Sequence, residues 1–206
     1  MDKVLGVLER YVPPGTAVPL TRLMYEYHIH LHIKRDRRSK AGDYRCPVPG
    51  DMKHRISINH NLNPYAFLIT FVHELAHRKV WEAEHDLSKP HGASWKKAFR
   101  ELMQPFLNTQ VFPAELLPVL LKYFKNPGAS SSTDTEMVRA LRQYDRGRQK
   151  EILLEDLPEG ALFGLGDERI FKKGPLRRKR YICDCITNHR KYLVSGIAAV
   201  FPEEVK

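Results

Sequence analysis

The sequence predicts an α+β fold, with helices packed on a small sheet around one central helix, followed by a small antiparallel β-rich C-terminal region. Three observations carry this. The first 125 residues mix stretches of helical period with stretches that alternate apolar and polar residues. One of them, NPYAFLITFVHELAHRKVWEAE, is apolar on most sides, as a helix enclosed by its neighbours must be. Towards the C-terminus, short apolar runs separated by turn residues replace the helical period.

In chain order, Val4, Leu5, Val7, Leu8 and Val12 give residues 1–11 an apolar stripe, which Pro13, Pro14 and Gly15 end. A second helix is expected over Pro19 to Tyr27. In HIHLHIKRDR, Ile29, Leu31 and Ile33 face one way and His28, His30 and His32 the other, so this is a half-buried strand. The three histidines offer a second metal site or, as the favoured reading, a solvated strand face. A basic, glycine-containing loop, RRSKAGDYRCPVPGDMKHR, leads to a second alternating segment, RISINHN, expected to pair with the first as a sheet edge.

Asn61 or Asn63 can cap the central helix, and Pro64 suits its first turn. Phe67, Leu68, Phe71, Val72 and Leu75 lie on several sides of it. Trp95, Phe99, Leu102 and Met103 form one stripe of the next helix, and PAELLPVLLKYF is expected to be helical with a kink at Pro118. NPGASSSTDT, residues 126–135, has the composition of a linker. Thr133 and Glu136 have the spacing of a capping box for a helix through Met137, Leu141 and Tyr144. ALFGL, RIF, KRYIC, KYLV and IAAVF then predict four or five short strands. The expected division is a domain over 1–125, a linker over 126–135, and a helix plus a basic β-rich region over 136–206.

Composition narrows the function. The chain has 206 residues, 42% of them hydrophobic, enough for one core or one core plus an appendage. No apolar run reaches the length of a membrane span, and MDKVLGVLERYVPPG has no continuous apolar stretch, so a soluble, cytoplasmic chain is expected, nucleoid-associated if bacterial. Three cysteines, two of them one residue apart, make no disulfide framework. A net charge of +10 favours a polyanionic partner, nucleic acid first.

The chemistry centres on HELAH, residues 73–77. Residues four apart share one helix face, so His73 and His77 can aim imidazole nitrogens at one ion. Zinc suits neutral imidazoles, and a catalytic zinc keeps one position open for water. Glu74 sits roughly 100° around the helix from His73, out of ligand reach but placed to take a proton from that water. A third ligand must come from Glu82, Glu84, His85, Asp86 or His91. His91 is chosen because Pro90 and Gly92 flank it at a loop-to-helix junction, where two helices would hold it.

With these residues in place the chain resembles the SprT-like family of zinc-dependent metalloproteases, whose eukaryotic members cleave proteins crosslinked to DNA. The family pattern is H-E-x-x-H followed, after a loop of this length, by H-G with an aromatic residue three positions further on. His73, Glu74, His77, His91, Gly92 and Trp95 match it. RSKAGDYR and RISINHNL are similar to the family's basic loop and to the strand before its active-site helix, so the resemblance spans about residues 15–105. It implies a minimal zincin-type domain, one Zn²⁺ per chain held by His73, His77 and His91, and Glu74 as catalytic base. Many relatives carry a C-terminal zinc ribbon with two Cys pairs. This chain has only Cys183 and Cys185 there, and a site built from these with His189 and distant Cys46 is the less favoured reading.

RIFKKGPLRRKR, residues 169–180, holds seven basic residues and no acidic one. Lys172, Lys173, Arg177, Arg178, Lys179 and Arg180 are expected to meet phosphates of DNA without sequence preference, with Phe171 and Tyr181 stacking on bases. A second basic loop runs from Lys34 to Lys40. The leading expectation is a zinc endopeptidase acting on proteins at or crosslinked to nucleic acid, with Tyr44 and Arg45 as candidates for shaping the cleft or steadying the oxyanion. The alternatives are a transcription-related regulator with a structural or weakly active zinc, and a zincin aminopeptidase unrelated to nucleic acid.

Overall fold

The element that positions everything else is the helix α3 (Pro64–Glu84), and its ends are set by local chemistry. The Asn63 side chain accepts a hydrogen bond from the Ala66 N–H at 2.9 Å, and Pro64 occupies the first turn, where its missing N–H costs nothing. His85, in the left-handed region at φ 50, closes the other end by donating its N–H to the Trp81 carbonyl. Residues Phe67 to Val72 and Glu74 to Arg78 are all buried, so the helix is wrapped by its neighbours as its sequence predicts.

The computed structural model describes residues 2–37, 40–85, 89–128, 134–145 and 152–203. The chain divides into two compact units, Met1–Arg146 and Gly147–Lys206. In the first, α1 (Asp2–Leu8), α2 (Ala17–Glu26), β1 (Ile29–Lys34), β2 (Gly42–Arg45) and β3 (His54–Asn59) precede α3, and α4 (Ala93–Met103), α5 (Leu117–Lys125) and α6 (Thr135–Arg142) follow it. Among these residues no helix is long and apolar enough to cross a membrane.

The sheet of this unit has the order β1-β3-β2. The two expected strands do pair, and they run parallel, with Leu31 opposite Ile56 and Ile33 opposite Ile58. The third strand, β2, arises from the stretch read as loop: Gly42 lies opposite Ile58 and Tyr44 opposite Ile56, antiparallel. Ile56 and Ile58 are fully buried, and their strand is paired on both sides.

Two expectations change here. The helix expected to kink at Pro118 instead starts at Leu117, so the proline sits in the first turn and no internal hydrogen bond is lost. The helix expected to open the C-terminal region, α6, belongs to the first unit. Met137 and Leu141 join the core around α3, and Asn63 Nδ2 donates to the Leu141 carbonyl at 2.9 Å and to Asp145 Oδ1 at 2.7 Å. The boundary therefore falls after Arg146, and not at residue 136. The cap of α6 is Asp134, whose carboxylate accepts from the Met137 N–H at 2.9 Å. Thr133, proposed for that role, lies outside the described residues, as do residues 129–132 of the expected linker.

The second unit is one antiparallel sheet of β4 (Ile152–Leu153), β5 (Leu162–Gly164), β6 (Ile170–Arg177), β7 (Arg180–Cys185), β8 (Lys191–Ser195) and β9 (Ala199–Pro202), in the order β4-β9-β5-β6-β7-β8. Its own core contains Leu154, Phe163, Phe171, Cys183, Cys185 and Val200. Strand β6 runs through most of the basic segment, to Arg177. The register shifts between Lys173 and Leu176, at Gly174, where a Cβ would stand 2.5 Å from the Ile182 carbonyl oxygen. Arg178, at φ 59, and Lys179 form the tip of a tight β6–β7 hairpin, with Arg177 opposite Arg180.

Candidate metal centre

Helix α3 carries His73 and His77 on one face, and the turn before α4 delivers His91 to the same place. One nitrogen from each of the three rings lies within 4.8 Å of the other two. The His73 and His91 Nε2 atoms are 3.3 Å apart, and the His77 ring centroid is 5.1 Å from His73 and 4.8 Å from His91. Trp95, on the first turn of α4, packs against all three rings, with centroids at 4.7 Å from His73 and His91 and 5.6 Å from His77. Its indole N–H donates to the His73 carbonyl at 3.3 Å, which ties α4, and with it His91, to the turn of α3 that bears His73.

The electrostatics suit a cation. Burial holds His73 down to about 3 and His77 down to about 4, with the neighbouring imidazoles adding to both shifts, and burial lowers His91 as well. At neutral pH the cluster is therefore three uncharged rings with lone pairs to offer, the donor set that zinc and related divalent ions take. Among the described residues no other group of His, Cys, Asp or Glu converges in this way. Glu82, Glu84 and His85 stay out of the cluster, and Asp86 lies outside the described residues. His28, His30 and His32 do not form a second site. Cys183 and Cys185 are buried in the core of the second unit, while Cys46 belongs to the first.

Glu74 is only 7% exposed and faces away from direct ligation, towards β2. Its carboxylate accepts the Tyr44 backbone N–H. Burial pushes the Glu74 carboxyl up to about 8, Asp43 adds to the rise, and the Tyr44 amide opposes it. A divalent cation beside it acts in the same direction as that amide, favouring the ionised form. The contact between helix and strand is close: a Cβ on Gly42 would stand 2.6 Å from Thr70 Cγ2 and 2.7 Å from Glu74 Oε1. In the sequence Gly42 reads only as part of a basic loop; in the fold it lets β2 reach the acid.

Tyr44 and Arg45 join neither the histidines nor Glu74 through their side chains. The Tyr44 hydroxyl is hydrogen-bonded to His54 Nδ1 at 2.9 Å, and burial drives its pKa far above the ordinary value. The His54 ring in turn meets Trp81 edge-on at 4.8 Å. Trp81 lies one turn beyond His77 on α3, so this aromatic chain continues the face that carries the histidines. Arg45 is exposed and paired with Asp43 at 3.0 Å. Arg78, buried on the adjacent face, donates to the Tyr27 carbonyl and to Glu82, and so anchors α3 to the end of α2.

The nucleic-acid residues separate into two groups. Lys172, Arg177, Arg178, Lys179 and Arg180 are exposed. Lys173 is not available to a phosphate: it is 5% exposed, its ammonium donates to the Leu157 and Glu155 carbonyls, and it lies 4.1 Å from the Tyr181 ring centroid. Phe171 is likewise withdrawn from any base, being 1% exposed and stacked on Phe163 inside the core. At the hairpin tip two arginines face each other across the strands, an arrangement that costs stability on its own. Among the described residues no carboxylate pairs with Arg177, Arg178, Lys179 or Arg180.

No family model, curated protein or solved structure matches this chain.

Proposed function

We propose that this chain is a zinc-dependent endopeptidase of the SprT-like type, acting on proteins at or crosslinked to nucleic acid. The observation that supports it is the convergence of His73, His77 and His91 beside a buried carboxylate that is not one of the ligands. A purely structural metal has no use for such a group. Zinc, when bound by the three imidazoles, supplies Lewis acidity at the scissile carbonyl and acidity to the attacking water. Glu74 takes the proton of that water and passes it to the leaving amine, and the Tyr44 amide holds the carboxylate in place for both transfers. Trp95, packed against all three imidazoles, shields the cluster from solvent on one side. Strand β2, at the edge of the sheet and packed against α3, gives an extended substrate somewhere to pair, although its Tyr44 amide is already engaged by Glu74.

Contact with nucleic acid is assigned to the exposed β6–β7 tip and Lys172. Four successive cations that no described carboxylate pairs are suited to a phosphate backbone, and their worth falls with salt by about 0.7–0.9 in log K per log salt for each phosphate neutralised. The stacking expected of Phe171 is no part of this proposal, since that ring is in the core.

One experiment tests the whole reading. Metal content and cleavage of an unfolded protein, with and without single- and double-stranded DNA, are measured for the wild type, for Glu74→Gln, and for a variant with Arg177, Arg178, Lys179 and Arg180 all changed to Ala. The expected outcome is one zinc in each protein, a loss of roughly 10²-fold or more in Glu74→Gln, and loss of DNA binding and of any DNA effect in the four-residue variant alone. Full hydrolysis by Glu74→Gln would overturn the mechanism. Zinc without hydrolysis in the wild type would favour the regulator, and DNA affinities unchanged by the four substitutions would leave the tip a solvated surface.

A further inference from the structure

The three-stranded sheet ends on one side at β2, against Glu74, and on the other at β1, which no described residue pairs along its outer side. Beside that second edge lies a cleft of about 490 Å³, formed by Lys3, Val4 and Val7 of α1, Met24 of α2 and residues 29–33 of β1. Leu8, Met24 and Ile29 close its floor, and Val7, 39% exposed, stands at its mouth. An edge strand presents unpaired N–H and C=O groups to any chain that can lie alongside. Proteins usually blunt such edges with proline, a bulge or an inward charge. IHLHIK has none of these along its length, and only Lys34 at its end is charged.

We infer that this edge is a docking site for an extended acidic segment of a partner protein, which adds to β1 as a further strand. Charge selects the occupant. Among the described side chains, the polar residues lining the cleft are Lys3, His30 and His32, with Lys34 at the end of the strand, and none is a carboxylate. Burial lowers the pKa of His32, and the cations Lys34 and Arg55 and the His30 ring, which outweigh Asp51, lower it further. Strand period sets the pattern of the ligand: apolar residues towards Val4, Val7 and Met24 alternate with Asp or Glu towards His30, His32 and Lys34. The six residues of β1 match a segment of about 20 Å. A second copy of this edge would bring the same basic lining and, among the described side chains, no carboxylate to answer it. Strand β3 separates this edge from β2, so the site works whether or not the metal centre is catalytic.

The test uses the full chain and a fluorescein-labelled peptide of four Val-Glu repeats, followed by anisotropy and by backbone amide shifts. Controls are the Val-Lys peptide and a Val-Glu peptide with alternate amides N-methylated, which cannot pair as a strand. The Val-Glu peptide is expected to bind and to shift amides in residues 29–34. Lys3→Glu combined with Lys34→Glu, both exposed positions, should weaken it by roughly tenfold, and N-methylation should abolish binding even if that variant folds poorly. Equal binding of the Val-Lys peptide, shifts confined to residues 42–45, indifference to N-methylation, or self-association of the chain through residues 29–34 would each overturn the inference.

Discussion

Replacing Gly42 by Ala tests how the acid is held. The added methyl would stand 2.6 Å from Thr70 Cγ2, 2.7 Å from Glu74 Oε1 and 2.9 Å from Glu74 Cγ, about 0.7 Å inside ordinary contact. Gly42 has an unstrained backbone, so the change adds bulk alone. Neither neighbour yields easily, since Thr70 is 8% exposed and Glu74 7%, both on a helix buried on most sides. Overpacking of this kind costs about 1–3 kcal/mol. Either β2 lifts from α3 or the carboxylate rotates, and both break the alignment of Glu74 with the Tyr44 amide. A displacement of about 1 Å in a catalytic group costs on the order of 10²-fold in rate. The histidines lie on another face of α3, so zinc content should be unchanged. The assay is kcat and KM for a quenched peptide, beside metal analysis and a denaturant midpoint. A variant with full kcat would refute the claim that this contact positions the base, and loss of zinc would mean the damage is global.

Asn63→Ala removes a helix cap, one link to α6 and one to Asp145 just beyond it, so the first unit should lose about 2–4 kcal/mol by urea unfolding, with no change in the second unit. A loss under about 0.5 kcal/mol would mean that water replaces the amide. The metal-free protein should lose stability as pH falls. His73 and His77 stay neutral in the folded chain down to about 3 and about 4, and His54 down to about 4 through burial, whereas unfolded histidines take up protons near 6.5. Glu74, pushed up to about 8, keeps one proton in the folded chain over the same range and offsets part of this, but the three histidines outnumber it, so the unfolded state still binds more protons and stability present above pH 6.5 drains away towards pH 4. Melting curves of chelator-treated protein that stay level from about pH 7 to about pH 5 would contradict the burial of these rings.

The sequence by itself determined the features that depend on neighbours a few residues away. The helical period places His73 and His77 on one face and turns Glu74 aside from them, whatever surrounds the helix. Asn63 and Pro64 mark its start because capping is a matter of three or four residues. The alternation in IHLHIK and RISIN was legible as strand, but its parallel register was not, because direction depends on how the chain crosses between the two. His91 was legible from its loop-to-helix junction and matched by the resemblance, and its meeting with the other two rings is a tertiary event that Trp95 supports. Gly42 and Tyr44 have no local signature at all: four residues of mixed polarity become a strand because the buried Ile56 and Ile58 lie across from them. The same holds for α6, whose return to the first core is decided by Asn63 some eighty positions earlier in the chain. Lys173 reads as one more surface cation until the Glu155 and Leu157 carbonyls fold over it. A charge is solvated or enclosed according to what long-range packing brings beside it, and that no stretch of sequence of this length can state.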